Sequence, residues 1–166
     1  MESSELMTKG LPRDMRRIDC QLSPEETERY LQEENWGVLS VHGDSGFPYG
    51  VPMNYIWDQG TILLHATSES SHRLDALQRD SRVCFTVVPE YHLDRDRWTT
   101  DYASVIVFGR AEILSAPEDK FAAMRAFMQA LAPHRLDEAF LACPPAAAKM
   151  VMIRIHPVMI TGKRNT

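Results

Sequence analysis

The stretch Thr61–Phe85, TILLHATSESSHRLDALQRDSRVCF, limits what this chain can become more than any other. The apolar run Ile62, Leu63, Leu64 predicts a strand. A turn dense in hydroxyls follows (Thr67, Ser68, Ser70, Ser71), then the pair His72-Arg73 opens a short helical pattern with Leu74 and Leu77 on one face. A second apolar run, Val83 to Val88, predicts another strand. Hydroxyl donors and two potential cations thus stand at a helix start. Free backbone N–H groups and the positive end of the helix dipole point there too, which makes an anion site. Cations are unfavourable at that end of a helix unless an anion reverses the local field, so the pattern reads as the phosphate grip of a bound cofactor.

The flanking segments supply the rest of a sheet. Ser23-Pro24-Glu25-Glu26 carries a cap, a proline for the first helical position and a capping-box glutamate, and predicts a helix to about Glu33. Trp36–His42 predicts a strand, Gly43-Asp44-Ser45-Gly46 a hairpin turn, and Phe47–Trp57 the return strand. Pro48 and Pro52 mark that return strand as an edge, a bulge or a ligand-lining strand. Residues 89–101 read as a long polar loop. Tyr102–Leu114 is the longest strand candidate, with Gly109 suggesting a bend or bulge. Ser115-x-x-Glu118 opens a helix with Phe121, Met124, Met128 and Leu131 on one stripe, and Leu136–Ala142 predicts a shorter helix ended by Pro144-Pro145. Val151, Ile153 and Ile155 alternate with polar residues in a last strand that continues past Pro157 to Ile160. Six strands joined mostly by short links predict an α+β protein, a six-stranded antiparallel sheet closed into a small barrel with flanking helices.

At 166 residues the chain suits one domain, read as an N-terminal arm over residues 1–20 and a barrel domain over 21–166. A net charge of −5 argues against general nucleic-acid binding. No apolar run reaches the roughly 20 residues of a membrane helix, and the N-terminus lacks a secretory h-region. Three cysteines without C-x-x-C spacing fit a reducing cytoplasm; Cys84 reads as a small buried hydrophobe. No nucleophile elbow, Walker loop or G-x-G-x-x-G occurs, so difficult chemistry would belong to a cofactor. His65 suits either a core histidine or a ligand. His65 and His72 are seven residues apart, with no completing Cys or Glu, and predict no metal site. Trp98 and Tyr102 each suit an interface anchor, a stacking partner or a core cap.

The order VPMNY, H-x(6)-H-R-L-D, RVCF and SVIVFGRA resembles the flavin-binding split-barrel family related to pyridoxamine 5′-phosphate oxidase, and within it the Nim-type nitroimidazole-resistance proteins. The likeness spans roughly Met15 to Arg164. It implies a six-stranded split β-barrel, a homodimer, and FMN in clefts between subunits. It places Val51, Pro52, Met53, Asn54 and Tyr55 along the flavin ring. His65, Thr67, Ser71, His72 and Arg73 would surround the phosphate, and Tyr102 and Ser104 would approach from the other subunit. The activity implied is transfer of electrons from a nicotinamide-type donor to a small acceptor such as a nitroimidazole or nitroaromatic. The alternative is a non-enzymatic module holding flavin, haem or another anion. Oxidation of pyridoxamine phosphate ranks lower, because the sequence shows no second phosphate cluster.

Overall fold

A computed structural model describes residues 12–66, 71–136 and 150–165. Helix α1 spans Pro24–Glu33 and is followed by β1 (Trp36–His42), β2 (Pro48–Asp58) and β3 (Thr61–Ala66). Helix α2 (His72–Arg79), β4 (Arg82–Asp94), β5 (Thr99–Ile113), α3 (Pro117–Leu131) and β6 (Val151–Asn165) complete the order. The strands pair in the ring β1-β2-β3-β6-β5-β4, antiparallel throughout and closed between β4 and β1. This is the expected six-stranded barrel. The hydroxyl turn at 67–70, the helix expected over Leu136–Ala142 and most of the N-terminal arm lie outside the described residues.

Local chemistry explains the elements. The Ser23 hydroxyl accepts from the Glu26 amide while the Glu26 carboxylate accepts from the Ser23 amide, a complete capping box. Alternate residues of the strands point into the barrel, where Leu39, Tyr55, Ile62, Leu64, Phe85, Val105, Val107, Ile153 and Ile155 are fully buried. Helix α1 closes one end with Tyr30 and Leu31, and Glu28 accepts a hydrogen bond from the Trp57 indole at 3.1 Å. At the other end α2 inserts Leu74, Ala76 and Leu77, and Arg79 reaches the His42 carbonyl. Helix α3 lies outside, packing Ala123 and Met124 on Ile56, Leu63 and Met152.

Four local expectations are corrected. The loop expected over 89–101 is a hairpin: β4 runs to Asp94 and β5 starts at Thr99, a ribbon that projects with Tyr91 and Leu93 exposed. Helix α3 starts at Pro117 with Ala116 at the cap and no side-chain cap bond, so Ser115 does not cap it. Proline's fixed φ sets the first helical position there. Phe121 is exposed, and Phe127 joins Met124, Met128 and Leu131 on the buried stripe. Cys84 is half-buried on the outer face of β4, its thiol 3.9 Å from the Thr86 hydroxyl, because inward positions on β4 belong to Val83 and Phe85. Gly109 does mark a bulge: the β5–β6 register shifts between Phe108 and Gly109.

Candidate functional site

Strands β2 and β3 pair only from Tyr55↔Leu64 to Asp58↔Thr61. From Asn54 back to Pro48, β2 keeps β1 as its strand neighbour, and its other edge has none among the described residues. The Tyr55 amide donates to the Asn35 carbonyl at 3.0 Å, and the Gly43 amide to the Phe47 carbonyl at 3.0 Å. Backbone groups alternate along an antiparallel strand, so Tyr49, Val51, Met53 and Tyr55 spend theirs on β1. Gly50, Pro52 and Asn54 aim theirs into the gap where β3 has departed. Pro48 and Pro52 therefore occupy positions where the ladder needs no N–H.

Side chains follow the same alternation. Met53 and Tyr55 point inward; Tyr55 is fully buried, edge-on to Phe85 at 5.1 Å, and burial pushes its hydroxyl pKa well above the usual range. Val51 is half-buried against the core. Pro52 and Asn54 face outward, and the Asn54 amide donates to the Asn35 carbonyl at 3.1 Å. Of the five VPMNY residues, two can therefore present anything to a ligand in this gap.

His65 lies on the outer face of β3, one register step beyond the last β2–β3 pair and across from Asn54. Its ring stands 6.0 Å from that of Phe127 on α3. Its buried Nε2 has no hydrogen-bond partner among the described residues, and neither does the buried Nε of Arg73. Burial first, and the Arg73 charge second, push the His65 imidazole below its ordinary pKa, so it is neutral at physiological pH. A buried polar atom left unpaired is costly, so each of these two has room for a further hydrogen-bonding partner.

The remaining phosphate candidates separate. The Ser71 hydroxyl caps α2, accepting from the Leu74 amide at 3.4 Å. His72 turns away to the β1–β2 hairpin. Its ring stacks on Tyr49 at 4.4 Å, and Nε2 accepts from the Asp44 amide at 3.3 Å. The Asp44 carboxylate also pairs with Arg79, so this one residue ties both ends of α2 to the hairpin. Thr67 lies outside the described residues. Arg73 thus stands close enough to His65 for its charge to act there, and His65 stands across from Asn54, whereas His72 is committed to the hairpin. Asp44 and Tyr49 determine where His72 goes; the sequence offered only turn composition at Asp44.

Tyr102 and Ser104 face outward on β5. In the ring, β5 is three strands from β2 in either direction, so one protomer cannot carry them to the β2–β3 gap. The outer wall carries exposed apolar side chains, Trp36 on β1 and Val88 on β4. Among the described residues no helix is long and apolar enough to cross a membrane, and no three His, Cys, Asp or Glu side chains converge as a metal site.

A flavin is the group implied by the resemblance. An edge offering backbone donors and acceptors to a planar heterocycle, with an arginine at the helix start whose buried Nε has no partner among the described residues, fits the ring and phosphate of such a molecule.

Comparison with known proteins agrees on the architecture. A family model described as pyridoxamine 5′-phosphate oxidase matches residues 23–164. A structure described as a candidate 5-nitroimidazole antibiotic resistance protein from Bacteroides thetaiotaomicron superposes with a TM-score of 0.69 at 20% identity, over 86% of this chain and 84% of that one. A FAD-binding protein from Mesorhizobium loti gives 0.67 at 21% identity, covering 88% and 97%. A flavocytochrome from Azotobacter vinelandii gives 0.78 at 17% identity, covering 93% and 73%. At these identities the likeness is one of fold. No curated protein matches the sequence.

Proposed function

The chain belongs to the pyridoxamine 5′-phosphate oxidase family, and from that premise we propose that it is a flavin-dependent oxidoreductase, with FMN as its cofactor. The observation that carries the proposal is the parting of β2 from β3 after Tyr55↔Leu64, with Arg73 Nε and His65 Nε2 unpaired beside it. The similar folds described as FAD-binding and flavocytochrome proteins support the same class.

Flavin supplies, when bound, the acceptance of an electron pair from a nicotinamide-type donor and its delivery to a small acceptor such as a nitroimidazole or nitroaromatic. The chain's own part is grip and field. The Arg73 guanidinium forms charge-assisted hydrogen bonds to the phosphate. His65, neutral, adds one hydrogen-bonding ring nitrogen without competing for charge. The Asn54 backbone N–H gives the β2 edge a fixed donor toward the heterocycle, and the Pro52 carbonyl an acceptor. Such preorganised donors steady negative charge as it develops on the ring. Pro52 also keeps that edge from recruiting another strand.

The working form is a homodimer. Tyr102 and Ser104 serve the site of a second copy, and the apolar outer wall covers the contact. The test is purification: a yellow protein that releases FMN on denaturation, bleaches anaerobically with NADH or NADPH, and sediments as a dimer. A colourless protein that takes up no added flavin contradicts the proposal.

A further inference from the structure

A second strand edge loses its partner along β6. Strand β3 pairs with β6 only as far as Ile62↔Ile155, because β3 begins just after the turn at Gln59 and Gly60, both at positive φ. Farther along the same edge the Leu22 amide donates to the Gly162 carbonyl at 3.0 Å, and Gln21 bridges to Lys163. The Ser23 cap then carries the chain off into α1. Between these two neighbours a pocket of about 440 Å³ opens against Pro157, Ile160 and Gly162, a size that suits a small ligand. We propose that it binds a small organic cation, a protonated amine on an apolar or aromatic body.

The walls suit the body. Leu22, Leu31, Trp57, Pro157 and Ile160 line the pocket. Gly162 lets α1 close one end, since a Cβ there would collide with the Thr27 hydroxyl. A hydrocarbon or ring entering such a lining gains the free energy of leaving water.

The polar groups set the sign of the charge. Glu28 is the one charged side chain on the lining, and among the described residues no Lys, Arg or His pairs with it. Its Oε1 accepts from the Trp57 indole at 3.1 Å and from the Gln32 amide at 3.4 Å, which leaves Oε2 unspent. That first bond holds the indole beside the carboxylate, so an aromatic face and a negative charge are offered together. Gly162 aims its carbonyl at this edge, where Leu22 takes it. By alternation Ile160 aims its carbonyl the same way, and no strand receives it among the described residues. An ammonium head thus meets a carboxylate oxygen, a ring and a carbonyl. A phosphate or carboxylate meets no cation. Glu28 is exposed, which puts the head at the mouth and the body within. None of the residues assigned to flavin takes part.

The protein as purified, with whatever flavin it carries, is titrated with phenethylamine and followed by amide-proton NMR. The Trp57 indole N–H and the Ile160 and Gly162 amides are expected to shift together and to saturate, while those of Gly50 and Asn54 stay still. Phenethyl alcohol and phenylacetate should bind about fivefold or more weakly than the amine, and Glu28→Gln, at an exposed helix position, should weaken the amine as much. Added salt should weaken the amine in the native protein and not in the variant. Alcohol binding as tight as amine binding, an affinity unmoved by Glu28→Gln, or resonances of Trp57 and Ile160 that do not respond overturns the inference. A yellow protein blind to the amine removes this pocket and leaves the flavin site standing. A colourless protein that takes up no flavin but binds the amine at Trp57 does the reverse.

Discussion

Tyr55 and Leu64 are the last residues to face each other across β2 and β3, and the free edge of β2 begins one step beyond them. That single parting turns a sheet strand into a ligand edge, because the amides of Gly50 and Asn54 and the Gly50 carbonyl have no strand partner among the described residues while the amides and carbonyls of Val51 and Met53 keep β1. Hydrogen exchange reads this directly. The Gly50 and Asn54 amides are expected to exchange fast in the flavin-free protein and the Val51 and Met53 amides slowly. Added FMN should protect Asn54 and leave Val51 and Met53 unchanged.

The His65 imidazole is pushed below its ordinary 6.5 by burial and by Arg73. The folded chain thus binds fewer protons than the unfolded chain in that range. Stability is complete above pH 6.5 and declines as the pH falls toward the folded value. Urea midpoints at about pH 7.5 and about pH 5.5 should differ more for the native protein than for His65→Gln. Equal losses in the two proteins would show that His65 carries no such linkage.

Flavin phosphate beside His65 favours the protonated ring and raises its pKa again. Uptake of a fraction of a proton is expected when FMN binds near pH 6. Calorimetric titrations in two buffers of different ionisation enthalpy measure the net proton change, and His65→Gln should shift it toward release, leaving only the proton given up by the phosphate, whose second pKa is about 6.

Much of the fold was legible because its signals are local. The capping box at Ser23 and Glu26 fixes α1, and the period-two alternation of β1 and β6 needs no knowledge of neighbours. The β4–β5 ribbon was hidden for a physical reason. Beyond the barrel both its faces meet water, so Glu90 to Leu93 carry no alternating burial and read as loop. At the site, Pro52 and Asn54 announce an edge, and Arg73 a cation at a helix start. The capture of His72 is a tertiary event, set by the backbone amide of Asp44, 28 residues away in a turn, and no spacing along the chain encodes it. The pocket beside Trp57 was equally silent, since Glu28 and Ile160 meet only through the packing of α1 against β6.

Gly37 allows β1 to cross the ring of Phe85. A Cβ at this position would stand 2.5 Å from Phe85 Cε1 and 2.8 Å from the Thr86 carbonyl oxygen. Gly37→Ala should destabilise the barrel by about 1–3 kcal/mol through overpacking. In a chain of this size that lowers Tm by roughly 2–4 °C per kcal/mol, measurable by calorimetry. An unchanged Tm would mean that the Phe85 ring yields freely.

The account stands on Arg73 holding the cofactor phosphate, and FMN affinity of Arg73→Ala beside His72→Ala tests it most directly. Losing charge-assisted hydrogen bonds worth roughly 1.5–3 kcal/mol should weaken FMN about 10- to 150-fold in Arg73→Ala. His72→Ala, whose native ring is committed to Tyr49 and Asp44, should change it far less. A correctly folded Arg73→Ala protein that binds FMN as tightly as the native chain would contradict the account.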